Sequence, residues 1–292
     1  MNNALPLVSI GLPCYNEEKF LEQTLNSLLE QDYENIEIII SVNSSTDSTQ
    51  EISEKYAREY PEIIKYSRNP HNMGSIVNFN KVFKISQGEF FMWAGAHDLY
   101  SKNYIASSVK IMQSDQNVVV VYPLTVWIDY NGNKLEKVSG FIDTRGNNAV
   151  ARFNQVLWAN QHAIYGLMRP SALKKLRLNR QSIASGAVLL GELSLLGDFA
   201  YSPHAIWYRR ESREKETSKQ RISRYKKTLY PSKHYGNRFL PHWRIPFEFL
   251  IAIWKGPSSF REKVELTLSG IPGAFVRYGP GLFKDLIYLF SK

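Results

Sequence analysis

The stretch SIGLPCYNEEKFLEQTLNSLLEQDYENIEIIISVNSSTDSTQEI, residues 9–52, decides how the chain folds. Residues 7–13, LVSIGLP, form a β-rich apolar run stopped by Pro13. Residues 17–31 then place Phe20, Leu21, Leu25, Leu28 and Leu29 at helical spacing. A second apolar run, NIEIIISV at 35–42, leads to a Ser/Thr/Asp cluster that opens a polar helix over 45–60, closed by Pro61. Apolar strand, amphipathic helix, apolar strand is a βαβ unit, and such units build a parallel sheet.

The alternation continues through residue 130. Strands are expected at 63–68, 89–94 and 117–123, and helices at 75–86 and 101–114. Asn131-Gly132 between extended flanks predicts a hairpin turn. Beyond it the pattern predicts a helix at 149–161, a strand at 163–168, a helix at 186–197 and a strand at 205–210. The remaining tail reads as helical pieces broken at Pro231, Pro246, Gly256-Pro257, Pro272 and Gly279-Pro280-Gly281. The fold class is therefore α/β, a Rossmann-like, mostly parallel sheet flanked by helices, with a helical C-terminal extension over 211–292. Ligands of such sheets sit at the C-terminal ends of the strands. That puts PCYNEE (13–18), VNSSTD (42–47), NPHNMGS (69–75) and GAHD (95–98) on one rim.

Of 292 residues, 43% are hydrophobic and 22% charged, which excludes a disordered chain. The lone Cys14 excludes an internal disulfide and any cysteine-based metal motif, and fits a reducing, cytoplasmic setting. No basic, apolar leader pattern opens the chain, so no secretory signal is expected. The apolar run FEFLIAIW (247–254) is about half the length that spans a bilayer and contains Glu248. The net charge of +9 is unevenly spread. Residues 1–130 carry 9 Lys and Arg against 16 Asp and Glu; from Trp207 onward the count is 18 against 7. The basic, aromatic C-terminal third fits an anionic partner such as a lipid headgroup or a diphosphate-bearing acceptor, or else simply solvated helix faces. The acidic first half, with no nucleic-acid motif, argues against DNA or RNA.

On the rim, Pro13 stops the first strand and Tyr15 can present an amphipathic ring beside the polar Asn16-Glu17. Asn43 can offer both a donor and an acceptor. Ser45, Thr46 and Asp47 stand where they can cap a helix. Asn72 and Gly74 form a turn into a helix whose exposed N–H groups could meet an anion.

These motifs, in this order and spacing, resemble a family 2 glycosyltransferase with the GT-A fold. The likeness runs from the Pro-x-Tyr-Asn strand end through SLLEQ and NSSTD, then NMGSIVNFN and the Trp93-Ala94 strand. It resumes at YGLMRPSAL and LLGELSLLG and ends at AIWYRR, covering about residues 7–210. The resemblance implies a GT-A domain over 1–210, with a donor half to about 130 and an acceptor half after it. It implies transfer of a sugar from a nucleotide-sugar to a hydroxyl of a polysaccharide or lipid-linked glycan, with inversion. The implied nucleotide-binding set is Pro13, Tyr15, Asn16, Glu17, Asn43, Asn72 and Gly74. His97 and Asp98 occupy the metal tip and would hold Mn²⁺ or Mg²⁺, while Arg209 or Arg210 would neutralise the leaving diphosphate. A cytoplasmic protein, peripheral on the inner face of the plasma membrane, would meet such an acceptor, and a homo-oligomer stays open.

Three departures from the family pattern stand out. Val42 replaces an acid that helps read the base, and Gly95, Ala96 and His97 stand where the metal tip carries further acids. The position of the family's catalytic base falls on Gly186, leaving Glu192 as the nearest acid. A catalytically degenerate partner or scaffold that keeps the fold is the alternative these departures raise.

Overall fold

The computed structural model describes residues 5–180, 182–211, 217, 220, 223–224, 229 and 240–290. Eight strands form one mixed sheet in the order β3-β2-β1-β4-β7-β6-β8-β5. β1 (Val8–Cys14) pairs in parallel with β2 (Ile36–Val42) and β4 (Phe90–Trp93), and β2 pairs in parallel with β3 (Ile64–Arg68). Every residue of β2 is buried, as expected of a central strand covered on both faces. On the far side β6 (Val118–Ile128) runs parallel to β8 (Asp198–Arg210). The two-residue strands β7 (Leu167–Met168) and β5 (Leu99–Tyr100) join antiparallel.

Period-two alternation along β1, β2 and β4 divides the core between the two faces. Ile10, Leu12, Ile38, Ile40 and Met92 pack with Leu21, Leu25 and Leu28 of α1 (Leu21–Leu29) and Tyr104 and Val109 of α4 (Tyr104–Ser114). α2 (Thr49–Glu59) covers the same face through Tyr56. Ile39, Phe91 and Trp93 point the other way, onto Val82 and Phe83 of α3 (Ser75–Lys84) and onto Leu189 and Leu193 of α7 (Ser185–Ser194). Gly11 lets α3 lie close, because a Cβ there would sit 2.6 Å from Val82 Cγ2. α5 (Ala149–Trp158) and the short α6 (Pro170–Leu173) complete this side.

Several expected boundaries move. Residues 162–165 form a 3-10 turn, so the strand expected over 163–168 shrinks to Leu167–Met168. β8 begins at Asp198, seven residues before its expected start, and absorbs Pro203 and His204 in a bulge opposite Pro123/Leu124. The Asn131-Gly132 turn forms with Gly132 at φ +90°, and Asp129 N–H donates to the Asn133 carbonyl. In the tail, α8 (Arg244–Lys255) takes Pro246 into its first turn, and α9 (Phe260–Phe290) runs through both Pro272 and Pro280. The breaks expected there do not occur; only Gly256-Pro257 interrupts the pair. Pro231 lies outside the described residues. α8 and α9 pack on α5 and α7 around Phe153, Leu157, Val188, Ile245, Phe249 and Leu266.

Candidate functional site

The C-terminal ends of β1, β2 and β4 open into a cavity of about 550 Å³. Pro13, Tyr15, Glu17, Asn43, Asn72 and His97 line it, together with Ser75, Asn78, Phe79 and Tyr165. Gln220, Ser223 and Arg224 from the basic tail also reach its wall. Six of the expected residues thus meet at one place, and five do not line it: Asn16, Gly74, Asp98, Arg209 and Arg210. Glu192 lies elsewhere.

The first rim loop is fastened to the second by reciprocal bonds. Asn16 N–H donates to Ser45 Oγ at 3.1 Å, and its side-chain oxygen accepts Thr46 N–H at 2.9 Å. Glu17 N–H donates to Thr49 Oγ1 at 2.7 Å, while Glu18 and Asp47 bond across the same seam. Asp47 also accepts Thr49 N–H at 3.1 Å from one residue ahead of the N-cap Ser48, which makes no side-chain cap. Asn16 takes positive φ, 55°, and its amide is consumed in this seam. Tyr15 is left 41% exposed at the cavity mouth. Burial pushes the Cys14 thiol well above its ordinary range, so it is no nucleophile.

Behind the second rim loop runs an asparagine network. Asn43 Oδ1 accepts from Asn69 at 2.9 Å and from Met73 N–H at 3.0 Å, and its amide donates to Asn72 at 2.9 Å. Asn72 Oδ1 also accepts Gly74 N–H at 2.9 Å, which holds Gly74 at φ +87° at the head of α3. Asn78 links Asn69 to Ser41. Asn43 therefore spends its acceptor and one donor on shaping the wall, where free groups for a base had been expected.

At the tip, His97 Nδ1 lies 3.2 Å from both carboxylate oxygens of Glu17, and both side chains are about three-quarters buried. Asp98 turns inward. It is 2% exposed and accepts Arg210 N–H at 2.9 Å. Burial raises its carboxyl above the ordinary range, against the pull of His97 and the Arg210 amide. A Cβ on Gly95 would collide with Asp98 Oδ2, so the inward carboxylate occupies the space that a side chain at 95 would need. Among the described residues no three His, Cys, Asp or Glu gather around one point. Among the described residues that line the cavity, the imidazole is that of His97 and the carboxylate that of Glu17. That set suits a divalent ion that takes its other ligands from a bound diphosphate and water.

The two arginines are used elsewhere. Arg210 is 4% exposed and donates to the carbonyls of His97, Asp129 and Tyr130 and to Gln23 Oε1. Arg209 stacks on Trp127 at 4.4 Å and donates to His162 Nε2 at 2.6 Å. His162 Nε2 is thus the acceptor, and its Nδ1–H faces Thr125 Oγ1 at 3.0 Å. Burial, with Arg209 and Lys137 nearby, lowers His162 to about 3, so the ring is neutral. Glu192, 6% exposed in α7, is ion-paired with Arg180 beside Glu248 and lines a different cavity with Lys175, Arg177 and Lys255. Gly186 occupies the first turn of the same helix, where a Cβ would find Ile164 at 3.4 Å. The wall residues that sequence reasoning missed differ in kind. Asn78 sits within the NFN pattern at the head of α3, whereas Gln220, Ser223 and Arg224 carry no signal beyond basic composition.

Comparison with known proteins identifies relatives in sequence and in fold. An uncharacterised glycosyltransferase of Rickettsia conorii is 34% identical over 134 residues, 45% of this chain and 22% of that protein. The abequosyltransferase RfbV of Salmonella typhimurium is 33% identical over 114 residues, 38% of this chain and 34% of its own. The matched stretch spans less than half the length of either relative. Among solved structures, residues 1–349 of S. aureus TarS in complex with UDP-GlcNAc superpose with a TM-score of 0.67 at 17% identity, over 97% of this chain and 80% of that one. A mannosyltransferase from Pyrobaculum calidifontis, in complex with GDP-Man and Mn²⁺, gives 0.56 at 17% identity, over 99% and 86%. The fold is that of the GT-A glycosyltransferases. The profile of glycosyl transferase family 2 matches residues 9–177, more than half of the chain, and the chain belongs to that family.

Proposed function

We propose that the chain is a nucleotide-sugar-dependent hexosyltransferase of polysaccharide or cell-envelope biosynthesis. It would pass a hexose from its donor to a hydroxyl of a glycan or lipid-linked acceptor, with inversion. The observation that carries this reading is the rim cavity, where an exposed tyrosine ring, a polar asparagine wall and the His97–Glu17 pair converge at the strand ends. Tyr15 can stack a base. The first-turn N–H groups of α3, from Ser75 onward, would favour an anionic group, the Gly74 N–H being held by Asn72. Arg224, which lines the cavity, would oppose the leaving diphosphate, in the role first expected of Arg209 or Arg210.

His97 and Glu17 would hold a divalent ion, Mn²⁺ or Mg²⁺, brought in by the donor diphosphate. When bound it would neutralise charge on the leaving group. The acceptor would be met in the cytoplasm at the inner face of the plasma membrane. A second reading, a transferase-like partner without turnover, draws on the inward turn of Asp98 and the distance of Glu192 from the cavity.

Calorimetric titration with UDP, GDP and dTDP, with and without Mn²⁺, tests the donor site on which the transferase reading depends. Binding of one nucleotide, weakened roughly tenfold or more in Tyr15→Ala and in His97→Ala, is the expected result. A folded protein that binds none of the three would sink the transferase reading and leave the partner role.

A further inference from the structure

The two C-terminal helices are apolar on opposite sides. Inward, α8 buries Ile245, Phe249, Ala252 and Ile253. Outward, Phe247, Ile251 and Trp254 are 56%, 38% and 45% exposed, and their i, i+4, i+7 spacing sets them in one stripe. Across the Gly256-Pro257 turn, Phe260 is 73% exposed and meets the Trp254 ring edge-on at 6.1 Å, which carries the stripe onto α9. There Leu268, Val276, Phe283 and Ile287 are all more than half exposed and share one side of the helix. Leu266, Ala274 and Leu282 of the same helix are buried. Soluble surfaces scatter such residues singly; so many on the outer sides of two adjoining helices mark a docking face.

Charge indicates what the face meets. Lys255 borders the stripe on α8; on α9 Lys284 is exposed, and so is Arg261, which pairs with the exposed Glu265 one turn on. Within α8 and α9 themselves, 6 Lys and Arg stand against 4 Asp and Glu. Among the described residues no helix is long and apolar enough to cross a membrane. Aromatic and aliphatic side chains flanked by cations, on a helix that does not span, suit the plane of the headgroups.

We propose that the outer faces of α8 and α9 dock the protein on an anionic lipid bilayer. A second copy of the chain fits less well. A self-complementary contact would bring the same bordering cations together, whereas anionic lipid supplies their counter-charge. This inference goes beyond the donor cavity and does not depend on its chemistry.

The test is co-sedimentation of the full chain with vesicles of phosphatidylcholine, alone or with about one third phosphatidylglycerol. Retention on the anionic vesicles, falling as salt rises, is expected. The variant Phe247→Ser/Ile251→Ser/Trp254→Ser should bind them at least about tenfold more weakly. Lys255→Glu/Lys284→Glu should also bind more weakly, most of all at low salt. All five positions are exposed, and circular dichroism with nucleotide titration checks that the variants stay folded. Failure of the wild type to bind either vesicle overturns the proposal, as does unchanged binding by the triple variant. A wild-type dimer that ignores vesicles and that the triple variant breaks apart would assign the stripe to a second copy instead. Absence of nucleotide binding would count against the donor reading alone.

Discussion

The carboxylate of Asp98 accepts the amide of Arg210 from 112 residues away and fills the space beneath Gly95. Its neighbour His97 faces the cavity. Two adjacent residues of one tip therefore have different duties, and the duties separate by experiment. Asp98→Ala strands a buried N–H and should cost about 1–3 kcal/mol, read as a lowered Tm. His97→Ala, at a partly exposed position, should stay within about 0.5 kcal/mol of wild type. A melting temperature unmoved by Asp98→Ala would return that carboxylate to the ligand role first expected of it. At this scale the sequence showed which residue types would meet, because Tyr15, Glu17, Asn43, Asn72 and His97 all follow the C-terminal ends of the parallel strands β1 to β4. It was silent on which way each side chain would turn. The direction of Asp98 is set by Arg210 and that of Glu192 by Arg180, both partners on other elements.

Elements were legible where a local pattern decided them. β2 is apolar throughout and α1 is amphipathic, and both fold where their periodicity places them. β8 was not, because Ser202-Pro203-His204 reads as a break, and only pairing with β6 carries the strand across it. α9 likewise passes Pro272 and Pro280, held by packing against α5 and α8. The lower edge of the sheet contains a polar staple of the same long-range kind. Glu37 of β2 accepts from Ser9 Oγ of β1, from Lys65 Nζ of β3 at 2.6 Å and from Gln87 N–H at 2.8 Å. Burial works against its charge, yet these three donors together hold its carboxyl below the ordinary range. A lowered folded-state value stabilises above the unfolded pKa, and that stabilisation is lost as pH falls through the folded value. Glu37→Gln should therefore lower stability by about 1–3 kcal/mol at neutral pH. It should also flatten the loss of stability on acidification below about pH 4.3. Denaturant titrations across that range check both, and parallel curves for the two proteins would show that Glu37 is not the group responsible.

Across the whole molecule, the extension expected after residue 210 and the packing of the core make opposite forecasts. A separate basic extension would melt on its own. The third core cluster instead joins α5 and α7 to α8 and α9. Phe153 of α5 is its centre, fully buried, with its ring 5.9 Å from that of Phe249 on α8. Cβ atoms added at Gly191 of α7 and Gly270 of α9 would stand 3.3 and 2.7 Å from the same ring. Four helices therefore close on one side chain, and the C-terminal pair cannot leave without exposing it. Calorimetry should accordingly show one cooperative transition. Phe153→Ala should cost about 3–5 kcal/mol and move that transition as a unit. Two transitions, of which Phe153→Ala shifts only one, would instead make residues 211–292 an independent folding unit. Such a unit would let the membrane-facing stripe and the donor cavity move separately. A single transition ties them together, so that docking of α8 and α9 fixes the direction in which the cavity meets its acceptor.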